Sequence, residues 1–253
     1  LGDFTHSPKH RILTMISTFY RLILAFAVVL IGAGSVSAQP GLMGPTIQFS
    51  KKKTSYITLM DGTEIVGNVK DFDRKKGITD YIKIKGNDGK TYKLDAEEIK
   101  HGYFYPSGLS KLSSFYDDLN VKRWGKDLNE ELFTNGYVYL DNTKVMIKKK
   151  TRSLLMQLLN PHFSDVVRIY FDPLANESMS IGIGPITAAG GNAKSYYVKK
   201  NNADVAVKLK KKDYKDEFPA YFGDCDAVVN SGKVKWMDLA ERAYIYATEC
   251  AGN

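Results

Sequence analysis

Hydrophobic and polar residues alternate with a period of two through residues 55–105. The apolar members of this pattern are Ile57, Leu59, Ile65, Val69, Ile82, Ile84, Tyr92 and Leu94. Turn signals interrupt it at Asp61-Gly62 and at Asn87-Asp88-Gly89. Alternation bounded by Asp-Gly turns is typical of antiparallel hairpins. The pattern therefore predicts five short strands, which must share a face because a lone hairpin is unstable in water.

A second set of strand-like segments begins after Asn135-Gly136. The candidate strands are residues 137–140, 144–149, 153–159, 166–172, 179–184, 193–199 and 204–210. Within the third of these, residues 154–159 are almost continuously apolar. Such a run suits either a buried strand or a helical turn, and periodicity does not separate the two.

Helical spacing appears in three places. After Ser107, a plausible N-cap, a stripe of Leu109, Leu112, Tyr116 and Leu119 predicts a helical connector over residues 106–135. Residues 211–222 and 235–248 predict two C-terminal helices. Because Pro219 falls inside the first of these, and an interior proline costs about 3 kcal/mol, we expect that helix to be short or broken.

These elements predict a mainly β chain of the α+β kind. We expect a small curled sheet or barrel of the SH3-like kind over residues 55–105. Residues 136–253 then form a second, antiparallel β region that ends in the two helices. Residues 39–54, with their glycines and Lys51-Lys52-Lys53, are expected to form a flexible leader.

Residues 15–38 have the three parts of a signal peptide. Arg21 is the positive charge, residues 22–33 are apolar, and Val36-Ser37-Ala38 fits a cleavage site between Ala38 and Gln39. Residues 1–14 lack an initiator Met and are interpreted as a mis-called start. The alternative is an uncleaved anchor, although the apolar run is shorter than the roughly 20 residues of a membrane span. We therefore expect export to the periplasm or beyond, with no transmembrane segment in the mature chain.

Composition supports a folded mature chain, since 43% of the residues are hydrophobic and 25% are charged. The net charge is +8, and lysines concentrate in runs at residues 51–53, 148–152, 199–200 and 208–212. Such runs can meet nucleic acid, anionic lipid or an acidic glycan. An exported protein seldom meets nucleic acid, so we expect no such partner and interpret the runs as solvated strand ends.

Cys225 and Cys250 are the two cysteines of the chain. Neither belongs to a C-x-x-C motif or has a neighbouring histidine, which disfavours zinc binding and nucleophilic catalysis. An even cysteine count in an oxidising compartment favours a disulfide. We expect an intramolecular bridge that ties together the ends of the two C-terminal helices.

The segment Ile57-Thr58-Leu59-Met60-Asp61-Gly62-Thr63-Glu64-Ile65-Val66-Gly67-Asn68-Val69 resembles the opening of uncharacterised secreted proteins of Bacteroidetes. Similar proteins carry a later strand like residues 194–200, followed by a helix and a Gly-Asp-Cys like Gly223-Asp224-Cys225. The resemblance implies export and a β-rich body with a helical tail. It assigns no activity and no functional residue.

No catalytic, cofactor-binding or metal-binding motif is found. His101 and His162 lack a second ligand at metal spacing, and the glycines of residues 182–191 do not fit a phosphate-binding loop. Carboxylate pairs at Asp117-Asp118, Glu130-Glu131 and Asp224/Asp226 are candidates for a glycosidase pair, which requires a separation of roughly 5–10 Å. Spacing along the chain does not establish that separation.

Tyrosines cluster at Tyr103-Phe104-Tyr105, at Tyr137/Tyr139 and at Tyr196-Tyr197. They either form a binding face or reflect the strand propensity of tyrosine. We therefore expect a non-catalytic binding or structural module of the bacterial envelope, with a protein or glycan partner and no cofactor. The alternative is a secreted carboxylate-dependent hydrolase. A transmembrane β-barrel is disfavoured because most of the strands are short.

Overall fold

A computed structural model describes residues 41–108, 123–175, 193–200 and 203–250. The fold is mainly β, as predicted, with ten strands of the described residues in one mixed sheet and short helices near the C-terminus. The signal-peptide prediction for residues 15–38, with its cleavage site, lies outside the described residues. The same holds for the predicted strand at 179–184 and for the connector stripe at 109–119.

The first five strands are antiparallel throughout. They are β1 Thr54–Leu59, β2 Glu64–Lys75, β3 Ile78–Gly86, β4 Thr91–Asp95 and β5 Ile99–Phe104. Their order across the sheet is β4-β3-β2-β1-β5, so the fifth strand returns beside the first. The five predicted strands are confirmed, and the glycines of the predicted Asp-Gly turns, Gly62 and Gly89, have positive φ.

Gly67 permits the close approach of β2 and β3. It lies opposite Gly86 in the strand pairing. A Cβ atom at Gly67 would lie 2.1 Å from the carbonyl oxygen of Lys85. Only glycine therefore fits between these two strands.

The second five strands begin without a break in the sheet, because β5 pairs with β6. They are β6 Val138–Ile147, β7 Lys150–Gln157, β8 Val167–Phe171, β9 Ser195–Lys200 and β10 Val205–Lys210. The predicted strands at 137–140 and 144–149 form one long strand, β6. Residues 154–157 of the apolar run at 154–159 belong to β7. The strand alternative was therefore correct for these four residues.

The pairing in this region is not purely antiparallel, which corrects the prediction. β10 lies parallel to β6, with Val205 opposite Lys144 and Ala206 opposite Val145. β7 pairs with the other side of β6, and the chain just beyond β7 meets β8, since the Leu159 amide donates to the Ile169 carbonyl at 2.8 Å. Strands β6 to β10 thus curl into a ring. Strand periodicity reports which residues share a face but not which distant strand is the partner.

The helices are short. They are α1 Glu130–Thr134, α2 Tyr214–Phe222, α3 Asp226–Val229 and α4 Leu239–Ile245, the last lying between a 3-10 turn, Trp236–Asp238, and a π turn, Tyr246–Cys250. α2 has nine residues and contains Pro219 without ending there. Pro219 is exposed, while Phe218 and Phe222 are buried. The prediction of a short helix was correct, but the proline does not break it.

The segment before β1 differs from the predicted flexible leader. Leu42, Met43 and Phe49 are buried, and the Met43 amide donates to the Leu159 carbonyl at 2.7 Å. The side chain of Gln157 accepts from the Thr46 amide at 2.7 Å. Apolar burial and these long-range hydrogen bonds hold the segment against the second β region.

A disulfide joins Cys225 and Cys250, as predicted, with Cα atoms 5.8 Å apart. Cys225 is buried within the main core, which combines the inner face of β1 to β5 with the C-terminal helices. No helix among the described residues is long and apolar enough to cross a membrane.

Candidate functional site

Three tyrosines from different strands lie side by side in one row across the sheet. Tyr56 on β1 is opposite Tyr103 on β5, which is in turn opposite Tyr139 on β6. Directly paired residues share a face of the sheet. We define the tyrosine face as Tyr56, His101, Tyr103, Tyr105, Tyr137 and Tyr139.

The inner half of this face is covered by aromatic packing. The Tyr103 ring lies 5.0 Å from Tyr139 and 5.7 Å from Phe133 of α1. Trp124 lies 5.0 Å from Phe133 and covers it in turn. The Tyr103 hydroxyl accepts from the Asn129 amide at 2.7 Å, just before α1. These contacts place α1 on the sheet and hold the inner rings in position.

The outer half of the face reaches solvent. Tyr56 and Tyr105 are half-buried, and both pack against Tyr137, with ring centroids 5.8 Å and 5.2 Å away. The ammonium group of Lys53 lies 5.3 Å from the Tyr105 ring centroid. This half combines accessible ring surface with hydroxyl groups and one cation, which are the features of a recognition surface.

A charged network closes the other end of the face. Arg168 on β8 donates from Nη1 to Oδ2 of Asp141 at 3.2 Å and from Nη2 to Oδ1 of Asp127. The hydroxyl of Tyr170 donates to Asp141 at 2.8 Å, and that of Tyr139 to Asp127 at 3.3 Å. One guanidinium therefore holds two carboxylates from distant parts of the chain.

The network affects the protonation of Asp127, which lies on the loop before α1. Burial by itself would raise the pKa of Asp127, but the hydrogen bond and charge of Arg168 outweigh it and lower that pKa. Burial also lowers the pKa of His101, although the Asp141 charge opposes this shift. At neutral pH the imidazole of His101 is therefore uncharged and the carboxyl group of Asp127 is ionised.

The hydroxyls of Tyr103, Tyr137 and Tyr139 stay protonated at neutral pH. Burial raises the pKa of Tyr103 to about 12 and also raises that of Tyr139. The pKa of Tyr137 is raised by burial and then by Tyr56 and Tyr105. The hydroxyls are consequently donors as well as acceptors at physiological pH.

A second polar cluster surrounds Asp172, which is buried. It accepts from the Ser195 hydroxyl at 2.6 Å and pairs with Lys208 at 2.6 Å. A cavity of about 460 Å³ opens beside it. Most of its lining residues are lysines, namely Lys194, Lys208, Lys210, Lys211 and Lys212.

Three of the lysines of this cavity lie near a carboxylate. Besides the pair of Lys208 with Asp172, Lys210 and Lys212 lie 3.7 Å and 4.0 Å from the carboxylate of Asp213. Asp172 and Asp213 therefore offset part of the positive charge of this run. The tyrosine face, where accessible rings and polar groups meet, is the stronger candidate.

The carboxylate pairs of the glycosidase alternative that lie among the described residues have different surroundings. Glu130 and Glu131 lie in the exposed first turn of α1. Asp224 pairs with Lys200 at 3.0 Å and accepts from the Tyr246 hydroxyl at 2.7 Å, beside the disulfide. Asp226 begins α3 and is exposed, and Asp117-Asp118 lie outside the described residues.

The two histidines of the predicted mature chain have different surroundings. His101 belongs to the tyrosine face, with its ring 5.5 Å from Tyr139. His162 packs 4.5 Å from Trp124, and burial lowers its pKa to about 4. Among the described residues no three His, Cys, Asp or Glu side chains are grouped to hold a metal ion.

Two of the three tyrosine clusters noted in the sequence come together at the tyrosine face, and the third does not. Tyr196 stacks on Trp236 at 5.4 Å in the main core. Tyr197, on the opposite side of β9, is fully buried inside the ring of strands. High strand propensity and burial account for this pair.

Sequence reasoning missed Asp127, Asp141 and Arg168. Asp141 lies between the predicted strands at 137–140 and 144–149, and Arg168 is a charged residue within the predicted strand at 166–172. Both positions predict a solvent-facing side chain. Curling of β6 to β10 turns that side inward, so the charges meet instead. The one available signal is that Arg168 interrupts an otherwise apolar strand, Val166-Val167-Arg168-Ile169.

Comparison with known proteins identifies no relative of this chain. No protein-family model matches the chain, and no curated protein or solved structure is detectably similar to it. Function therefore has to be argued from the chemistry of the site.

Proposed function

We propose that this chain is an exported, non-catalytic binding module of the cell envelope whose ligand is a glycan that lies on the tyrosine face. The observation that carries the proposal is the outer half of that face, where Tyr56 and Tyr105 flank Tyr137 and remain half-exposed. Rigid aromatic rings give a binding surface a large contact area at a small entropic cost.

The chemistry of the face favours a sugar. The CH groups on one side of a pyranose ring pack against aromatic rings, and its hydroxyls need donors and acceptors nearby. Tyrosine side chains carry a hydroxyl that can donate and accept hydrogen bonds, and Lys53 beside Tyr105 adds a charged donor. The scaffold is rigid, because the inner tyrosines are locked against α1 and by the Arg168 network.

Export rests on the signal-peptide pattern of residues 15–38 and is supported by the disulfide between Cys225 and Cys250. Disulfides persist in oxidising compartments outside the cytosol. Mass spectrometry of the native protein is expected to find Gln39 at the N-terminus. An intact apolar segment at residues 22–33 would contradict export.

A carboxylate-dependent hydrolase is the less favoured function. It requires one carboxyl group whose pKa is raised, so that it can donate a proton. Asp127 and Asp141 form the carboxylate pair of this site, but both are held by Arg168. The pKa of Asp127 is lowered, which suits a structural anion better than a general acid.

The test is affinity electrophoresis through gels that contain soluble bacterial and plant polysaccharides. At least one polysaccharide is expected to retard the protein. Tyr56→Ala combined with Tyr105→Ala should weaken that binding by about tenfold, since the ring contacts are lost. The matched control is Tyr81→Ala, a tyrosine on β3 whose hydroxyl bonds Asp71 away from the face.

The control variant should be retarded like the wild type. Equal retardation of all three proteins would place the glycan elsewhere, and absence of retardation in every gel would contradict glycan binding. Release of reducing sugar from a polysaccharide would favour the hydrolase.

A further inference from the structure

The turn between β6 and β7 is built from lysines. Ile147 pairs with Lys150, so Lys148 and Lys149 form the two-residue connection. Residues 148–153 are all exposed. We call the end of this hairpin, residues 144–152, the basic tip.

The charge of the basic tip is not neutralised by the described part of the fold. Its cations are Lys144, Lys148, Lys149, Lys150 and Arg152. No Asp or Glu occurs between Asp141 and Asp165. The ion pairs among the described residues all use other cations, in contrast to the run at 208–212.

Apolar side chains lie beside these cations. Met146 and Val207 are 37% and 47% exposed. Val145 pairs with Ala206 in the parallel register of β6 and β10. The next residues on the two strands, Met146 and Val207, therefore lie side by side. Met146 shares its face of the hairpin with Lys144, whereas Lys150 and Arg152 pair with Ile147 and Val145 on the other face. A hairpin end that carries cations around an exposed apolar pair is suited to an interface between water and lipid.

The backbone of the turn favours glycine, but the sequence has lysine. Lys148 has a φ of +58°, a left-handed conformation that glycine adopts without strain and that other residues adopt at a cost. Two-residue hairpin turns with positive φ usually contain Gly or Asn. Glycine at this position would therefore remove the charge of Lys148 without adding backbone strain.

We propose that the basic tip docks the protein on a membrane surface that contains anionic lipid. The lysines lie near the headgroups, and Met146 and Val207 contact the interfacial region. The apolar pair distinguishes this partner from a soluble polyanion, which offers no apolar phase. The tip and the tyrosine face use different residues, so this inference is independent of the glycan proposal.

Co-sedimentation with vesicles tests the proposal. The probes are phosphatidylcholine vesicles with and without phosphatidylglycerol, at low and at physiological salt. Wild-type protein is expected to bind the vesicles that contain phosphatidylglycerol. The triple variant Lys148→Gly, Lys149→Ser, Lys150→Ser should bind about a hundredfold more weakly, because each lysine near an anionic surface contributes roughly fivefold.

The matched control removes the same charge elsewhere, with Lys51→Ser, Lys52→Ser and Lys76→Gly. Lys76 is the other described lysine with positive φ, at +53°, so both triple variants contain one equivalent backbone change. The control should bind like the wild type. Equal loss in both triple variants, or failure of the wild type to bind either kind of vesicle, would overturn the proposal.

Two single variants keep the test independent of folding. Lys148→Gly should raise the melting temperature and yet lower vesicle binding about fivefold. Met146→Ser should weaken binding most clearly at physiological salt, where charge attraction is screened. Binding to a sulfated polysaccharide without binding to anionic vesicles would instead assign the tip to a soluble polyanion.

Discussion

The strands up to β5 and the strands from β6 onward share one sheet but use different kinds of contact. In the first region β1 to β4 pair in the order of the chain, and β5 lies between β1 and the next strand, β6. In the second region β10 pairs with β6 across three intervening strands, and the chain after β7 meets β8. Local contacts can be inferred from turns and alternation, whereas distant pairings cannot.

The two regions also bury different faces. In β1 to β5 the apolar side chains of one face enter the core, and the other face carries polar residues and the tyrosines. In β8 and β9 both sides are buried, with Ile169 and Val198 facing the helices and Tyr170 and Tyr197 facing the inside of the ring. Because the sheet curls, the face that carries polar residues and tyrosines in β1 to β5 becomes the buried inside of the ring in β8 and β9.

The largest effect is expected from Gly67→Ala in the first region. The added Cβ would lie 2.1 Å from the Lys85 carbonyl oxygen, so β2 and β3 must separate. We expect a loss of about 4 kcal/mol in the free energy of unfolding. Tryptophan fluorescence in a urea titration measures it, because both tryptophans, Trp124 and Trp236, lie outside β1 to β5.

If the sheet unfolds as one unit, the fluorescence midpoint will fall even though the substitution is in the other region. An unchanged midpoint together with loss of strand signal in circular dichroism would show that the regions unfold separately. Gly41→Ala is the control, since a Cβ there has no neighbour within 4 Å, and it should leave the midpoint unchanged.

Removal of the disulfide is expected to affect the second region alone. Cys225 and Cys250 are 25 residues apart, and closing such a loop contributes about 3 kcal/mol. Cys225→Ser should lower the free energy of unfolding by about that amount. In hydrogen exchange the amides of α2 to α4 should lose protection, while those of β1 to β5 keep it.

Thiol titration of the denatured, unreduced wild type checks the premise of this experiment. No titratable thiol is expected. Two thiols per chain would show that the bridge does not form, and equal loss of protection in both regions would contradict its local role.

The second region should also dominate the response to acid, through His162. Burial lowers its pKa from 6.5 to about 4, so between these values the unfolded chain binds a proton that the folded chain does not. Stability is therefore complete above pH 6.5 and falls as the pH is lowered toward 4. Near pH 5 the loss should be about 2 kcal/mol.

Chemical denaturation at a series of pH values measures this slope in the wild type and in His162→Gln. The variant should lose most of the pH dependence in that range. An unchanged slope in the variant would assign the acid sensitivity to other groups.

The smallest effects are expected at the two lysine turns, one in each region. Lys76→Gly and Lys148→Gly should each raise the free energy of unfolding by about 0.5–1 kcal/mol, because glycine relieves the positive φ. Thermal unfolding measures the change. Destabilisation by either substitution would mean that its lysine makes a contact worth more than the backbone strain.

The positions of the strands, and the face on which each side chain lies, were predictable wherever strands that are neighbours in the chain pair with one another. Asp61-Gly62 and Asn87-Asp88-Gly89 mark hairpin turns, and the cysteines near the C-terminus were correctly paired. The burial of residues 42–49 was not predictable. Their glycines and nearby lysines are typical of a flexible segment, and their partners, Gln157 and Leu159, are more than a hundred residues away.

The candidate site was predictable only in part. The tyrosines at 103, 105, 137 and 139 were visible as clusters, and their meeting follows from the pairing of β5 with β6. The Arg168 network was not visible, because its members come from a loop and two strands that pair with different neighbours.

Alternation, turn residues and cysteine count, which are properties of short stretches of chain, determined the strand-rich class, the hairpins and the disulfide. The tertiary structure alone decided the parallel pairing of β6 with β10, the burial of the segment before β1 and the meeting of Asp127 and Asp141 at one guanidinium. The physical reason is that side-chain periodicity specifies which face of a strand is apolar. The distant surface that covers this face depends on how the whole sheet curls.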